Sequence, residues 1–178
     1  MIAFGVDPGT RKLGWGVVRR DGNRLVHVAH AVVTLDPKRP IAERLVRLSE
    51  ALDAALLLHR PTVGSVESIF FAKDAQAAAK LGHARGVVLL CLARAGLHVA
   101  EYPPARVKQT ITGRGQADKQ QMAMMVRALL GLAEPPPSDA ADALALAITH
   151  LRIGPLNDAL AAGRRPPHPA LLRLSRRR

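Results

Sequence analysis

The sequence predicts an α/β protein on three observations. Apolar residues alternate with period two through most of the first 34 residues, the pattern of consecutive strands. Two later short runs, ending at Glu67 and Tyr102, read as further strands, the first of them apolar and β-branched. The segments between and after them place apolar residues at helical spacing instead.

The first strand is the point of reference. Ile2, Phe4 and Val6 alternate with Ala3, Gly5 and Asp7, so the strand delivers a carboxylate at its C-terminal end. Pro8-Gly9 turns the chain, and Leu13, Trp15 and Val17 resume the alternation on a second strand whose opposite face, at Gly14 and Gly16, is bare. An Asx-turn role alone would account for Asp7 in this stretch. Asp21-Gly22 forms a second hairpin turn, which lays a third strand, Leu25–Thr34, antiparallel to the second. Strict alternation puts His27 and His30 on opposite faces of it, unable to share a metal.

Pro37–Pro40 breaks the chain before a helix whose stripe is Ile41, Leu45, Leu48, Leu52 and Leu56 and which ends before Pro61. Thr62–Glu67 is a buried strand that again ends in an acid, either a solvated edge residue or a group with chemistry to do. Phe70 and Phe71 follow, two of only three phenylalanines; on extended backbone they point opposite ways, leaving one free to stack on a base or fold back on the core.

The helix expected over Asp74–Gly96 has two apolar faces. Ala75, Ala79, Gly82 and Gly86 make one, all small; Ala77, Leu81, Ala84, Val88, Cys91 and Ala95 make the other. One face packs on the sheet, and the second wants a partner, which a homodimer or a further internal contact supplies. His98–Tyr102 is the last strand. A helix over Arg106–Thr112 and a basic loop, Gly113-Arg114-Gly115, lead to a helix from Asp118 carrying Met122, Met125, Val126 and Leu129 inward. Pro135–Pro137 precede a final helix with Ser138 as its N-cap and Asp139 and Asp142 on one face of its first turn, where acids also suit the macrodipole. Residues 1–153 are the folded body; 154–178 read as a mobile Pro- and Arg-rich tail, six arginines against Asp158, an anion-binding arm without chemistry of its own.

Composition narrows the function. A net charge of +12 calls for a polyanionic partner, most simply nucleic acid; no basic amphipathic helix carries the exposed aromatics that a membrane surface would need. The single cysteine, Cys91, excludes an internal disulfide and a cysteine-based zinc site. No signal peptide precedes Asp7 and no apolar run is long enough to span a bilayer, so a cytoplasmic protein is expected. Asp7, Glu67, Asp139 and Asp142 are the acids placed for chemistry: two end strands and two open a helix. Brought together they repel unless cations neutralise them, and oxygen-only ligands select Mg²⁺, with Mn²⁺ substituting, two ions serving in-line phosphoryl chemistry. The basic body then attracts a polyanion that the acidic centre alone would repel.

Four stretches, DPGTRKLGWGVV, VESIFFAKDAQAAAKLGHARG, ARVKQTITGRGQADK and SDAADALALAITH, resemble in order and spacing the four blocks of the RuvC family of Holliday junction resolvases, over about residues 1–151. The resemblance implies a ribonuclease H-like fold, a mixed β-sheet flanked by helices. It also implies a homodimeric divalent-metal endonuclease that nicks two symmetric strands of four-way junction DNA, working with a branch-migration complex. Asp7, Glu67, Asp139 and Asp142 match the family's metal-binding acids. Some members have His at the position of Asp139; here the set is all carboxylate. Phe70 matches the aromatic placed at the junction centre, and Lys108 and Lys119 match basic residues near the cleaved strand; Lys73 and Arg114, within the same blocks, are expected as further DNA contacts. An Asp-x-Gly-Thr hairpin also opens actin-like kinases, but those need a second lobe for which this chain has no room. A related nuclease that processes RNA, and a junction-binding protein without catalysis, are the remaining alternatives.

Overall fold

Strand β1 (Ile2–Asp7) runs through the middle of the sheet because both its faces are covered. Phe4 and Val6 are buried on one side, Ala3 and Gly5 on the other. In this computed structural model residues 1–68 and 75–163 are described, apart from the side chains of 75–77 and 155–163. The order is β1, β2 (Lys12–Asp21), β3 (Arg24–Thr34), α1 (Ile41–His59), β4 (Val63–Glu67), α2 (Ala75–Arg94), β5 (Val99–Tyr102), α3 (Pro104–Thr112), α4 (Lys119–Leu130) and α5 (Ser138–Gly163).

Among the described residues the strands form one mixed sheet in the order β3-β2-β1-β4-β5. The two hairpins make β1, β2 and β3 antiparallel, while α1 and α2 are the crossovers that let β4 and β5 run parallel to β1. Helices α1 and α2 cover one face through Leu48, Leu52, Leu56, Val88 and Leu92, against Phe4, Val6, Leu13, Val17 and Val66. Trp15 stacks on Phe4 in that layer, ring centroids 5.7 Å apart. Helix α5, flanked by α3 and α4, covers the other face.

Helix α5 is apolar almost all round from Ala140 to Leu151, which makes it a core helix rather than a surface one. Its alanines meet glycines on the sheet. A Cβ on Gly5 would collide with the Ala143 carbonyl, one on Gly14 with the Asp139 carbonyl, and one on Gly16 would lie 2.6 Å from Leu144 Cδ2. The face that strand alternation leaves bare is thus the seat of α5.

Several local expectations change. Val17 pairs with Ala29 but Val18 pairs with His27, so Val28 is a bulge, 42% exposed. The extra residue shifts the alternation by one and puts His27 and His30 on the same face, Nε2 to Nδ1 at 2.8 Å. On α4 the buried stripe is Met122, Val126 and Leu130 with Leu129 beside it; Met125 turns outward. The start of α4 is a full capping box, Asp118 accepting from Gln121 N and Gln121 Oε1 accepting from Asp118 N. Leu81 and Ala95, expected on the packed face of α2, are exposed. Ser138 is the first residue of α5 itself, and α5 continues to Gly163, through the first ten residues of the expected tail.

Candidate active site

Asp7 closes β1 and Glu67 closes β4, and these strands lie side by side and parallel, with Val6 opposite Val66. Both acids therefore emerge at one edge of the sheet. Both also fall on the face that α5 covers, because Ala3, Gly5 and Val63, in phase with them, pack on that side.

The glycine seat brings the other two acids to the same edge. Gly14 pairs with Asp7 across β1 and β2, and the Asp139 carbonyl rests directly on Gly14. Asp142 follows three residues on, one turn deeper. Four carboxylates, each partly buried, so meet where two strand ends and one helix N-terminus converge.

Their electrostatics follow from that crowding. Burial, reinforced by the charges of Asp142, Glu67 and Asp139, pushes the Asp7 carboxyl up from 3.8 to about 7. Glu67 is raised first by burial and then by Asp142, against the opposing charges of Lys108, Lys119 and Arg85. Burial also raises Asp142, with Lys119 and Lys108 pulling it back and Asp139 pushing it up. Lys119 Nζ lies 3.9 Å from Asp142 Oδ2. At 80% exposure such a pair is weak, and the ammonium faces solvent.

No three His, Cys, Asp or Glu side chains among the described residues stand close enough to form a finished metal shell. The acids are an electrostatic neighbourhood, and their chemistry states which cation suits it. Carboxylates alone favour a hard, oxygen-loving divalent ion, and such an ion offsets both the burial and the repulsion that raise Asp7.

Around the acids, Lys108 stands half-buried on α3. Arg114 is exposed in the loop after α3, lining an open cavity of about 520 Å³ with Thr112, Gln116, Gln121 and Met125. Phe70 and Lys73 lie outside the described residues, as does the side chain of Ala75. Ala79, Gly82 and Gly86 are exposed on α2, and a Cβ at either glycine would meet nothing within 4 Å.

Two arginines grip the backbone beside the acids. Arg44 Nη1 donates to the Thr10 carbonyl at 2.8 Å, just past the turn that follows Asp7. Arg85 Nη1 donates to the Glu67 carbonyl, and its Nη2 pairs with Glu101 Oε2 at 2.6 Å. Arg85 reads from sequence as one residue of a polar strip on α2; the available signal is Glu101, an acid inside a short apolar strand.

Residues 3–150 match the family described as "Crossover junction endodeoxyribonuclease RuvC". The chain belongs to the RuvC family. It is 55% identical to the RuvC of Sorangium cellulosum over 166 residues, 93% of each chain. It is 51% identical to the RuvC of Bradyrhizobium diazoefficiens over 147 residues, 83% of this chain and 84% of that one. Among solved structures, the Thermus thermophilus RuvC in complex with Holliday junction substrate superimposes with a TM-score of 0.83 at 40% identity, covering 88% of this chain and 96% of that one. The fold is therefore the ribonuclease H-like RuvC fold, and the RuvC blocks that carry the four acids fall within the matched residues.

Proposed function

We propose that this chain resolves Holliday junctions, cutting two symmetric strands of four-way junction DNA in recombination and repair, and that Asp7, Glu67, Asp139 and Asp142 are its metal-binding and catalytic acids. The observation that carries the reading is the meeting of four partly buried carboxylates at one sheet edge, bordered by Lys108 and Lys119, in a RuvC-family chain. The Thermus thermophilus relative in complex with Holliday junction substrate supports the choice of DNA.

The four acids would hold divalent ions, Mg²⁺ with Mn²⁺ able to substitute, and two per site fit their number. Such ions, when bound, activate a water and neutralise charge on the scissile phosphate. The protein's own residues do the rest. Lys108 and Lys119 bring cationic charge to the rim, where a phosphate backbone must pass. The buried floor of alanine and glycine keeps α5, and with it Asp139 and Asp142, at a constant distance from Asp7. Phe70, Lys73 and Arg114 are proposed DNA contacts.

The exposed stripe of Ala79, Gly82 and Gly86, in line with Ala75 and continued by Leu90 at 55% exposure, suits a homodimer in which two helices approach closely. Two sites related by a two-fold axis fit a junction of the same symmetry. A branch-migration complex as partner and a cytoplasmic location complete the reading; among the described residues no helix is long and apolar enough to cross a membrane.

Incubation with a synthetic four-way junction tests it. Paired symmetric nicks are expected with Mg²⁺ and none with EDTA. Asp7→Asn should abolish cleavage and retain binding, because the cationic rim is untouched. Degradation of structured RNA with indifference to junctions, or binding without cleavage in Mg²⁺ and Mn²⁺ alike, refutes the assignment.

A further inference from the structure

Among the described residues Arg85 is the only lysine or arginine that is buried, with 7% of its surface exposed. A guanidinium taken out of water needs acceptors for its N–H groups, so where those acceptors lie is informative. Nη1 donates to the backbone carbonyl of Glu67 and Nη2 to Glu101 Oε2 at 2.6 Å. Glu67 is the last residue of β4, and Glu101 lies opposite Val66 on β5. Val66 packs on the α2 side of the sheet, so Arg85 reaches both strand ends from that face. By the alternation of β4, the Glu67 carboxylate projects from the other face, toward α5. Arg85 therefore holds the peptide of Glu67 from behind while leaving its side chain clear.

We propose that Arg85 is a positioning residue for the nuclease site, clamping the C-terminal end of β4 to β5 and α2 so that the Glu67 carboxylate stays in place beside Asp7 and Asp142. The geometry is specific to a guanidinium. One nitrogen serves a main-chain carbonyl and the other a carboxylate on the neighbouring strand, a fork that the single ammonium of lysine reproduces only in part. The charge also opposes the repulsion that Asp142 exerts on Glu67. The clamp stands behind an acid rather than among the reacting groups, so its loss should weaken metal binding first. The inference rests on the reading of Glu67 as a metal-binding acid.

Full-length wild type, Arg85→Met, Arg85→Lys, Glu101→Gln and Glu67→Gln are compared by two readouts. The first is the rise in melting temperature on titrating Mn²⁺ without DNA, which yields an apparent metal affinity. The second is single-turnover junction cleavage across the same Mn²⁺ range, with junction binding measured in EDTA. Arg85→Met is expected to lower the apparent Mn²⁺ affinity about 10- to 100-fold, the usual effect of removing a group that orients a metal ligand. Cleavage should fall by a similar factor at low Mn²⁺ and recover at high Mn²⁺, with junction binding unchanged. Arg85→Lys should restore part of the affinity. A folded Arg85→Met with wild-type Mn²⁺ affinity overturns the proposal. If that variant does not fold, wild-type affinity in both Arg85→Lys and Glu101→Gln overturns it instead, and a loss of roughly 3- to 10-fold in both supports it. Glu67→Gln separates the two levels: a wild-type Mn²⁺ response there removes the site reading itself, whereas a lost response with Arg85→Met unaffected removes only the clamp.

Discussion

Replacing Asp7 by Asn should stabilise the protein when no divalent cation is present. In the native state the Asp7 carboxyl is pushed up to about 7 by burial and by the charges of Asp142, Glu67 and Asp139, from an ordinary value of 3.8. The folded state then binds the proton more tightly than the unfolded chain, so stability falls as pH rises through the interval between those two values and stays low above it. At 1.36 kcal/mol per unit the full penalty is on the order of 4 kcal/mol at pH 8, and about 1 kcal/mol at pH 4.5, where the native carboxyl is still mostly protonated. Asparagine removes the charge but keeps a polar group to desolvate, so roughly half of the penalty should be recovered. For a chain of this length that is a rise of about 4–8 °C in melting temperature at pH 8, in EDTA. Thermal unfolding followed by circular dichroism at pH 8 and pH 4.5 measures it, and Mg²⁺ should raise the wild type more than the variant. If Asp7→Asn melts at or below wild type at pH 8 in EDTA, the acids do not crowd Asp7 and the convergence argued for them is wrong.

Two further outcomes test the seat of α5 and the outer face of α2. Gly5→Ala drives a methyl into the Ala143 carbonyl and to 2.8 Å from Ala147 N. It should cost about 1–3 kcal/mol by overpacking and reduce cleavage by shifting Asp139 and Asp142, seen as a lower melting temperature with junction binding retained. A Cβ at Gly86 meets nothing within 4 Å among the described residues, so Gly86→Leu should not lower the monomer's melting temperature while it weakens self-association. Analytical ultracentrifugation at micromolar concentration reads that directly, and a wild type that stays monomeric there, with or without junction DNA, removes the basis for paired incision by a dimer.

Much of the fold is legible in the sequence because its strands are short and their punctuation is strong. Pro8-Gly9 and Asp21-Gly22 turn the chain where the hairpins turn, and an acid ends β1 and β4 as expected. The misreadings have a common origin in single residues that local pattern cannot weigh. One bulged residue, Val28, reverses the phase of β3 and brings His27 onto His30. Met125 fits the apolar stripe of α4 on spacing alone, yet the helix is rotated so that Leu130 takes the inner place. Composition marks the chain from Gly154 onward as tail, but the first ten of those residues continue α5, since prolines and arginines weigh on composition even where helix-forming Asp158–Ala162 lies between them.

The site itself is the harder inference, because it depends on which strands are neighbours. Asp7 and Glu67 are 60 residues apart, and nothing local says that β4 lies beside β1 rather than beyond β3. The deciding feature is the junction between the two halves of the sheet: β1 pairs antiparallel with β2 on one side and parallel with β4 on the other. A parallel neighbour brings two strand C-termini to one edge, the place where open α/β sheets bind their ligands. The antiparallel neighbour leaves the beginning of β2, with Gly14, at that same edge. Because Gly14 has no side chain, the first turn of α5 can rest there, and the helix N-terminus arrives with its two acids near enough to raise Asp7. Each acid alone is an ordinary end-of-element residue. The mixed pairing of β1 and the missing side chain at Gly14 are what bring them into one electrostatic neighbourhood.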